Sequence, residues 1–214
     1  IFEKMNHVIA FDADDTLWVN EPYFRETEDK FCALLEDYLP SHTTGQELFK
    51  VEMNNLALYG YGVKGFMLSM VETAIQVSGG TMGLDGIEKI LNLGKELLER
   101  DIEILPGVEE VLKALQGKYR LVVATKGDLL DQQRKLAKSG LEQYFHLADP
   151  LRGLGLVPVR GPDVLDGCRV SHDSASTLYG CEYVIDRADV RDSRSVLERE
   201  TDRQLFVVQR SDVR

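Results

Sequence analysis

A short apolar run that ends in a cluster of acids constrains the fold of this chain more than any other feature. The run from His7 to Phe11, HVIAF, is almost continuously apolar, which is typical of a strand buried in a parallel sheet. Asp12, Asp14 and Asp15 follow it directly. In an open α/β sheet, ligands bind outside the carboxyl ends of the strands. The pattern therefore predicts an α/β protein whose functional site lies at the end of this first strand.

A second apolar run, from Leu121 to Thr125, lies between two segments with helical spacing. Before it, apolar residues recur at positions 108, 111, 112 and 115, as they do on one face of a helix. After it we predict a helix with its inner face at positions 129, 133, 136 and 137, which Gly140 would cap at its C-terminus. A helix on each side of a buried strand is the arrangement of an α/β fold with a parallel sheet.

The segment between these two strands has a different, helical pattern. Breaks fall at Pro40, at Gly60–Gly62 and at Gly79-Gly80. The predicted helices are 21–38, 45–59, 63–77 and 84–99. We therefore predict an inserted helical domain at 21–102, with a core domain formed by 1–20 and 103–214.

The last third of the chain shows less order in its pattern. Residues 147–181 have no sustained period, so we predict a loop there. Beyond it we predict strands at Tyr183–Ile185 and Leu205–Val208 with a helix from Asp189 to Glu200 between them.

Composition excludes several classes of protein. The net charge of −11, from 36 acidic and 25 basic residues, argues against nucleic-acid and anionic-membrane partners. No apolar stretch approaches the roughly 20 residues of a membrane span. The three cysteines are too few and too scattered for a disulfide framework or a zinc site. The first residues lack the layout of a secretory signal, so we expect a cytoplasmic protein.

The acidic cluster also indicates a cation. Carboxylates this close repel one another unless a cation or a shared proton lies between them. Oxygen ligands with a high negative charge favour Mg²⁺. The alternative is an acidic turn whose side chains only cap the residues that follow.

The segment Asp12-Ala13-Asp14-Asp15-Thr16-Leu17 on a leading strand resembles the first motif of the haloacid dehalogenase superfamily. Thr125 resembles the hydroxyl residue of its second motif. The resemblance covers about Val8 to Phe145 and implies a Rossmann-like parallel-sheet core with an inserted α-helical cap. Leu105-Pro106-Gly107-Val108 is similar to the return from cap to core.

The resemblance also implies roles for individual residues. Asp12 would attack phosphorus and carry an aspartyl-phosphate, and Asp14 would act as general acid and then general base. Thr125 and Lys126 would bind the phosphoryl group, and Mg²⁺ would lie against Asp12 and Asp14. An acid at position 14 favours phosphoester hydrolysis over dehalogenation, because a departing halide needs no proton.

Two further elements of the superfamily, a lysine and a late acid, are harder to place. All eleven lysines lie at or before Lys138, so Arg187 is the predicted replacement for the catalytic lysine. Asp212, after the last predicted strand, is the predicted third metal ligand. Asp186, Asp189 and Asp192 remain alternatives for the acid.

The function that the sequence predicts is a Mg²⁺-dependent phosphatase acting on a small phosphorylated metabolite. One alternative is a phosphosugar mutase, which would return the phosphoryl group to its substrate. Another is a catalytically impaired member that serves as a binding or regulatory module. A 2-haloacid dehalogenase is the third.

Overall fold

The computed structural model describes residues 7–145 and three further strands at 156–158, 181–183 and 204–209. The chain divides into two compact units, one formed by Ile1–Val19 with Ile102–Arg214 and the other by Asn20–Asp101. Among the described residues, no helix has the length and apolar character needed to cross a membrane.

The helices and strands follow one another in an order typical of an α/β protein with a helical insertion. In chain order they are β1 (His7–Phe11), α1 (Glu21–Leu34), α2 (Ser41–Tyr59), α3 (Val63–Val77), α4 (Leu84–Glu99), α5 (Val108–Leu115), β2 (Arg120–Thr125), α6 (Leu129–Ser139), β3 (Leu156–Pro158), β4 (Cys181–Tyr183) and β5 (Gln204–Gln209).

The first unit contains a five-stranded sheet with the order β3-β2-β1-β5-β4. The pairs β1–β2, β1–β5 and β2–β3 are parallel, whereas β4 runs antiparallel to β5. This topology confirms the predicted α/β fold with a parallel sheet. Phe11, the last residue of β1, is level with Val123 of β2 and Val208 of β5. The carboxyl ends of these three central strands therefore lie at one edge, where Asp12 follows β1.

The sheet contains one strand that the sequence pattern did not predict. β3 lies within the segment predicted as a loop, and its three residues are too few to show a period. Its backbone pairs with the end of β2, which accounts for an extended conformation there. β4 begins and ends two residues before the predicted strand at Tyr183–Ile185. The helix predicted from Asp189 to Glu200 lies outside the described residues.

Helix α6 is correctly predicted, but of the positions predicted for its inner face only Leu136 is buried. Its buried side chains are Asp131, Gln132 and Leu136, whereas Leu129 is 45% exposed. Two of the three buried side chains are polar, so the spacing of apolar residues predicts only Leu136 of the inward face. Gly140 ends the helix with a φ of 71°, a left-handed conformation that glycine adopts without strain, as predicted.

The second unit consists of α1 to α4 around its own apolar core. Fully buried side chains come from every helix, among them Phe31, Leu48, Met70 and Ile90. α3 and α4 have the predicted bounds, while α1 ends at Leu34, four residues earlier than predicted. α2 begins four residues earlier than predicted, at Ser41 directly after Pro40. That this unit acts as a cap over the site remains a prediction.

An acidic cluster in the second unit leads to a prediction about stability. Burial, together with the smaller effect of the charges of Glu28 and Glu21, raises the pKa of Glu52 to about 7. The folded protein therefore holds this proton up to about pH 7, whereas the unfolded chain releases it near 4.5, the usual pKa of a glutamate. The stability that the protonated form provides is thus lost as the pH rises through this window. At pH 8 we expect the free energy of unfolding of Glu52→Gln to exceed that of the wild type by about 1–2 kcal/mol, because Glu52 is only partly buried. The variant should therefore unfold at a higher temperature, and the difference should be smaller at pH 5.

Thermal unfolding of both proteins at the two pH values measures this effect. Glu47→Gln, on the same helix but at an exposed ion pair with Lys50, is the matched control and should change little. A Glu52→Gln variant that is less stable than the wild type at pH 8 would contradict the prediction.

Candidate active site

A tight turn follows β1 and shapes the acidic cluster. The backbone oxygen of Ala13 accepts hydrogen bonds from Leu17 N at 2.8 Å and from Thr16 N at 3.3 Å. Asp15 has a φ of 58°, in the left-handed region that Asp tolerates better than most residues, and its N donates to Trp18 O at 2.8 Å. Asp15 therefore serves the turn, which returns the chain so that Trp18 lies beside Asp14.

Asp12 is a carboxylate that the protein keeps poorly solvated. Burial raises its pKa to about 6, and the charge of Asp14 acts in the same direction. Hydrogen bonds from the Ala13 backbone and from the Thr16 hydroxyl, 3.4 Å from Asp12 Oδ2, lower the pKa, as does the charge of Lys126. These stabilising contacts do not cancel the cost of burial. Asp12 therefore retains an excess of negative potential, which is the property that a bound cation or an electrophile would relieve.

Asp14 accepts hydrogen bonds from three side chains. Trp18 Nε1 donates to Oδ1 at 2.8 Å, and Lys135 Nζ donates to the same oxygen at 2.9 Å. Gln132 Nε2 donates to Oδ2 at 2.7 Å. Both carboxylate oxygens are therefore fixed by donors, two of them from helix α6.

This environment bears on the predicted role of Asp14 as a metal ligand. A divalent cation at Oδ1 would have to share that oxygen with the ammonium of Lys135, and like charges so close repel strongly. The arrangement holds both oxygens of Asp14 with N–H donors and so disfavours coordination of a cation through this side chain. Coordination of magnesium by Asp14 remains a prediction without a supporting contact.

Thr125 and Lys126 lie at the end of β2, next to the turn. Phe11 is level with Val123, so Asp12 and Thr125 extend from neighbouring strands at the same edge of the sheet. Thr125 is buried, and its Oγ1 accepts a hydrogen bond from Gly127 N at 3.2 Å. Lys126 lies near enough for its charge to lower the pKa of Asp12. The structure therefore brings these two predicted residues together with Asp12.

The other predicted site residues lie in the tail. Arg187 and Asp212 are outside the described residues, as are the alternative acids Asp186, Asp189 and Asp192. The strands around them have opposite directions. β5, which precedes Asp212, ends at the edge where Asp12 lies, whereas β4, which precedes Arg187, ends at the opposite edge.

Two residues of the site were missed by the sequence analysis. Gln132 and Lys135 are three apart on α6, so they share one face of the helix, and both contact Asp14. Lys135 is only 13% exposed, which is unusual for lysine and requires a compensating charge. A polar pair at helical spacing just after the second predicted motif is the signal that could have identified them.

The described residues offer a limited set of metal ligands. They contain no group of three or more His, Cys, Asp or Glu side chains arranged to hold a metal ion. Asp12 is a carboxylate whose burial and raised pKa suit a neighbouring cation. The chemistry that these residues can perform is nucleophilic attack by Asp12, proton transfer at Asp14 and binding of an anionic group by Thr125 and Lys126.

Comparison with known proteins shows that the chain is similar to haloacid dehalogenase-like hydrolases. The family model for haloacid dehalogenase-like hydrolases matches residues 7–151. A haloacid dehalogenase-like hydrolase from Xanthomonas campestris is 36% identical and has a TM-score of 0.65, with 76% of this chain aligned to 66% of that one. No curated protein matches the chain.

More distant structures resemble the chain less closely. The hydrolase YfnB from Bacillus subtilis, bound to magnesium, is 18% identical with a TM-score of 0.43, covering 66% of this chain and 63% of its own. A predicted phosphoglycolate phosphatase from Haemophilus somnus is 20% identical with a TM-score of 0.41, covering 67% of this chain and 61% of its own. The chain thus spans slightly less than two thirds of the length of these solved structures.

Proposed function

The chain belongs to the haloacid dehalogenase-like hydrolases, and we propose that it hydrolyses a phosphate monoester of a small metabolite through an aspartyl-phosphate on Asp12. The observation that carries this proposal is the second carboxylate, Asp14, which three donors fix two residues after the nucleophile. An alkoxide leaving group needs a proton as it departs, and Asp14 would provide it. Cleavage of a carbon–halogen bond needs no general acid, because the halide leaves without a proton.

In the first half of the reaction, an Asp12 oxygen attacks phosphorus and the bond from phosphorus to the ester oxygen breaks. The proton of Asp14 goes to the departing oxygen, so the products are the free alcohol and the phosphorylated Asp12. The pKa of about 6 for Asp12 leaves most of this carboxyl ionised at neutral pH, as a nucleophile must be.

In the second half, Asp14 accepts a proton from a water molecule that attacks the phosphorus of the aspartyl-phosphate. The bond between phosphorus and Asp12 breaks, inorganic phosphate leaves, and both carboxyls return to their first state. Asp14 is then protonated again and ready for the next substrate.

The phosphoryl group needs donors for its oxygens in both halves. The Thr125 hydroxyl accepts from Gly127 N, so it can donate its own hydrogen to a phosphoryl oxygen. The Lys126 ammonium, whose charge already acts on Asp12, adds positive potential at the same edge of the sheet. These groups would hold the transferred group in line with Asp12.

Magnesium fits one of the described carboxylates. Asp12 has the burial and the uncompensated charge that a hard cation relieves, so it would be a ligand, with Asp212 as a further candidate. When bound, Mg²⁺ would neutralise charge on the phosphoryl oxygens.

A direct assay separates the proposed activity from its rivals. With Mg²⁺ present, we expect release of inorganic phosphate from p-nitrophenyl phosphate and from a panel of small sugar and carboxylic-acid phosphates, and no chloride release from 2-chloropropionate. A mutase would convert one phosphosugar isomer into another without releasing phosphate. Chloride release without phosphate release would overturn the proposal in favour of a dehalogenase.

A further inference from the structure

The inward face of α6 holds a charged and polar group that no sequence motif predicts. Gln132 is 1% exposed and the Lys135 side chain is 13% exposed. Removing an ammonium from water is costly unless opposite charges compensate it. Lys135 Nζ lies 2.9 Å from Asp14 Oδ1 and 3.8 Å from Asp131 Oδ2. The ammonium is therefore held between two carboxylates.

Asp131 anchors this arrangement within the helix. Its side chain is 4% exposed and pairs with Arg134 at 2.5 Å as well as with Lys135 one turn later. Its backbone N is capped by Asp128 Oδ1 at 3.0 Å, which fixes the first turn of α6. Lys135 thus contacts Asp14 from a position within a helix and not from a loop.

The amide of Gln132 is also constrained, at some cost. Its Nε2 is directed at Asp14, and its Oε1 has no hydrogen-bond partner within the described part of the chain, although it is buried. A buried acceptor without a partner costs free energy, so the amide orientation is set by the contact with Asp14. A Cβ at Gly127 would lie 2.6 Å from Gln132 Nε2, so the glycine after Thr125 leaves room for this amide.

We propose that Lys135 and Gln132 are positioning residues that fix the Asp14 carboxyl for proton transfer to the leaving group. A carboxyl group rotates broadly about its last torsion when nothing holds it. Donors on both oxygens remove that freedom, since Lys135 and Trp18 share Oδ1 while Gln132 holds Oδ2. Proton transfer depends on such geometry.

This inference rests on the proposed phosphatase activity. A positioning role predicts losses that depend on the leaving group, whereas a merely structural role predicts equal losses with all substrates. The benefit of a positioned acid grows with the basicity of the leaving group. Phenyl phosphate, with a poor leaving group, should depend on Lys135 and Gln132, whereas 2,4-dinitrophenyl phosphate, which needs no proton, should not. The parameter to compare is kcat/KM, because it reports the steps up to formation of the phosphoenzyme.

For Lys135→Met we expect kcat/KM to fall about 10-fold to 100-fold with phenyl phosphate and less than about 3-fold with 2,4-dinitrophenyl phosphate. Gln132→Met, which keeps the length of the side chain, should show the same selective loss. Lys135→Arg should restore part of the activity with phenyl phosphate. Lys138→Met, at an exposed position of the same helix, is the matched control and should leave kcat/KM unchanged for both substrates.

The outcomes separate the two proposals. Equal losses with both esters, or no loss, would overturn the positioning role while the phosphatase proposal stands. If the wild type hydrolyses neither ester in the presence of Mg²⁺, the proposed function fails and the positioning role fails with it. If Lys135→Met does not fold, as circular dichroism would show, Gln132→Met decides by the same comparison.

Discussion

Asp12→Asn is expected to abolish turnover of p-nitrophenyl phosphate, with a loss of at least about 10⁴-fold. An amide is a poor nucleophile, and removal of a covalent nucleophile leaves only the contribution of binding and of the surrounding donors. The substitution changes one atom and keeps the volume, so the surroundings of Asp12 at the end of β1 should persist. Phosphate release under single-turnover conditions measures the effect.

A stability measurement on the same variant separates lost chemistry from lost folding. Because the pKa of Asp12 is raised from 3.8 to about 6, the folded protein loses stability as the pH rises through this window. Asp12→Asn removes that cost. Without divalent cations the variant should be more stable than the wild type by about 1–2 kcal/mol at pH 8, and by less at pH 5.

Asp15→Asn is the matched control for the loss of activity. It lies in the same turn, where asparagine also tolerates the left-handed backbone, so it should retain turnover near the wild-type rate. Normal turnover by Asp12→Asn would contradict the proposed mechanism, and so would an equal loss in Asp15→Asn.

The central strands and the helical insertion could be predicted because their signals are local. β1 is a continuous apolar run, and α4 repeats its apolar residues every three or four positions, so each segment carries its own period. β3 and β4 have three residues each, and their conformation depends on pairing with β2 and β5. A pattern within the segment cannot report hydrogen bonds to a strand far away in the chain.

The residues of the candidate site also differ in whether a local sequence pattern can identify them. Asp12 and Asp14 are adjacent in sequence to the strand that positions them, so the acidic run identifies both. Gln132 and Lys135 are 118 and 121 residues from Asp14, and each is a common residue on an amphipathic helix. Their role depends on which face of α6 packs inward, and that face is polar because its partner is a carboxylate.

Asp14→Asn gives the second large effect, and it should expose the covalent intermediate. With 2,4-dinitrophenyl phosphate the first half of the reaction needs no acid, so phosphoryl transfer to Asp12 should continue. The second half needs Asp14 as a base for water, so it should slow by about 10²-fold to 10⁴-fold. The phosphoenzyme should then accumulate.

The surroundings of Asp14 can accept this substitution. Oδ1 of the asparagine can still accept from Trp18 and Lys135. The Nδ2 of the asparagine would face the side-chain amide of Gln132. This amide can rotate by half a turn, so that its Oε1, which has no partner among the described residues, accepts a hydrogen bond from Nδ2. The variant should therefore fold with the turn intact, and a loss of activity would report chemistry.

Stopped-flow absorbance and intact mass measure this intermediate. We expect a burst of dinitrophenol close to one equivalent of enzyme, followed by slow turnover, and an acid-quenched protein heavier by one phosphoryl group. The double variant of Asp12→Asn with Asp14→Asn is the matched control and should give neither burst nor adduct, because the nucleophile is gone. If Asp14→Asn turned over at the wild-type rate, or lost the burst along with turnover, Asp14 would not be the base that releases the phosphoryl group from Asp12.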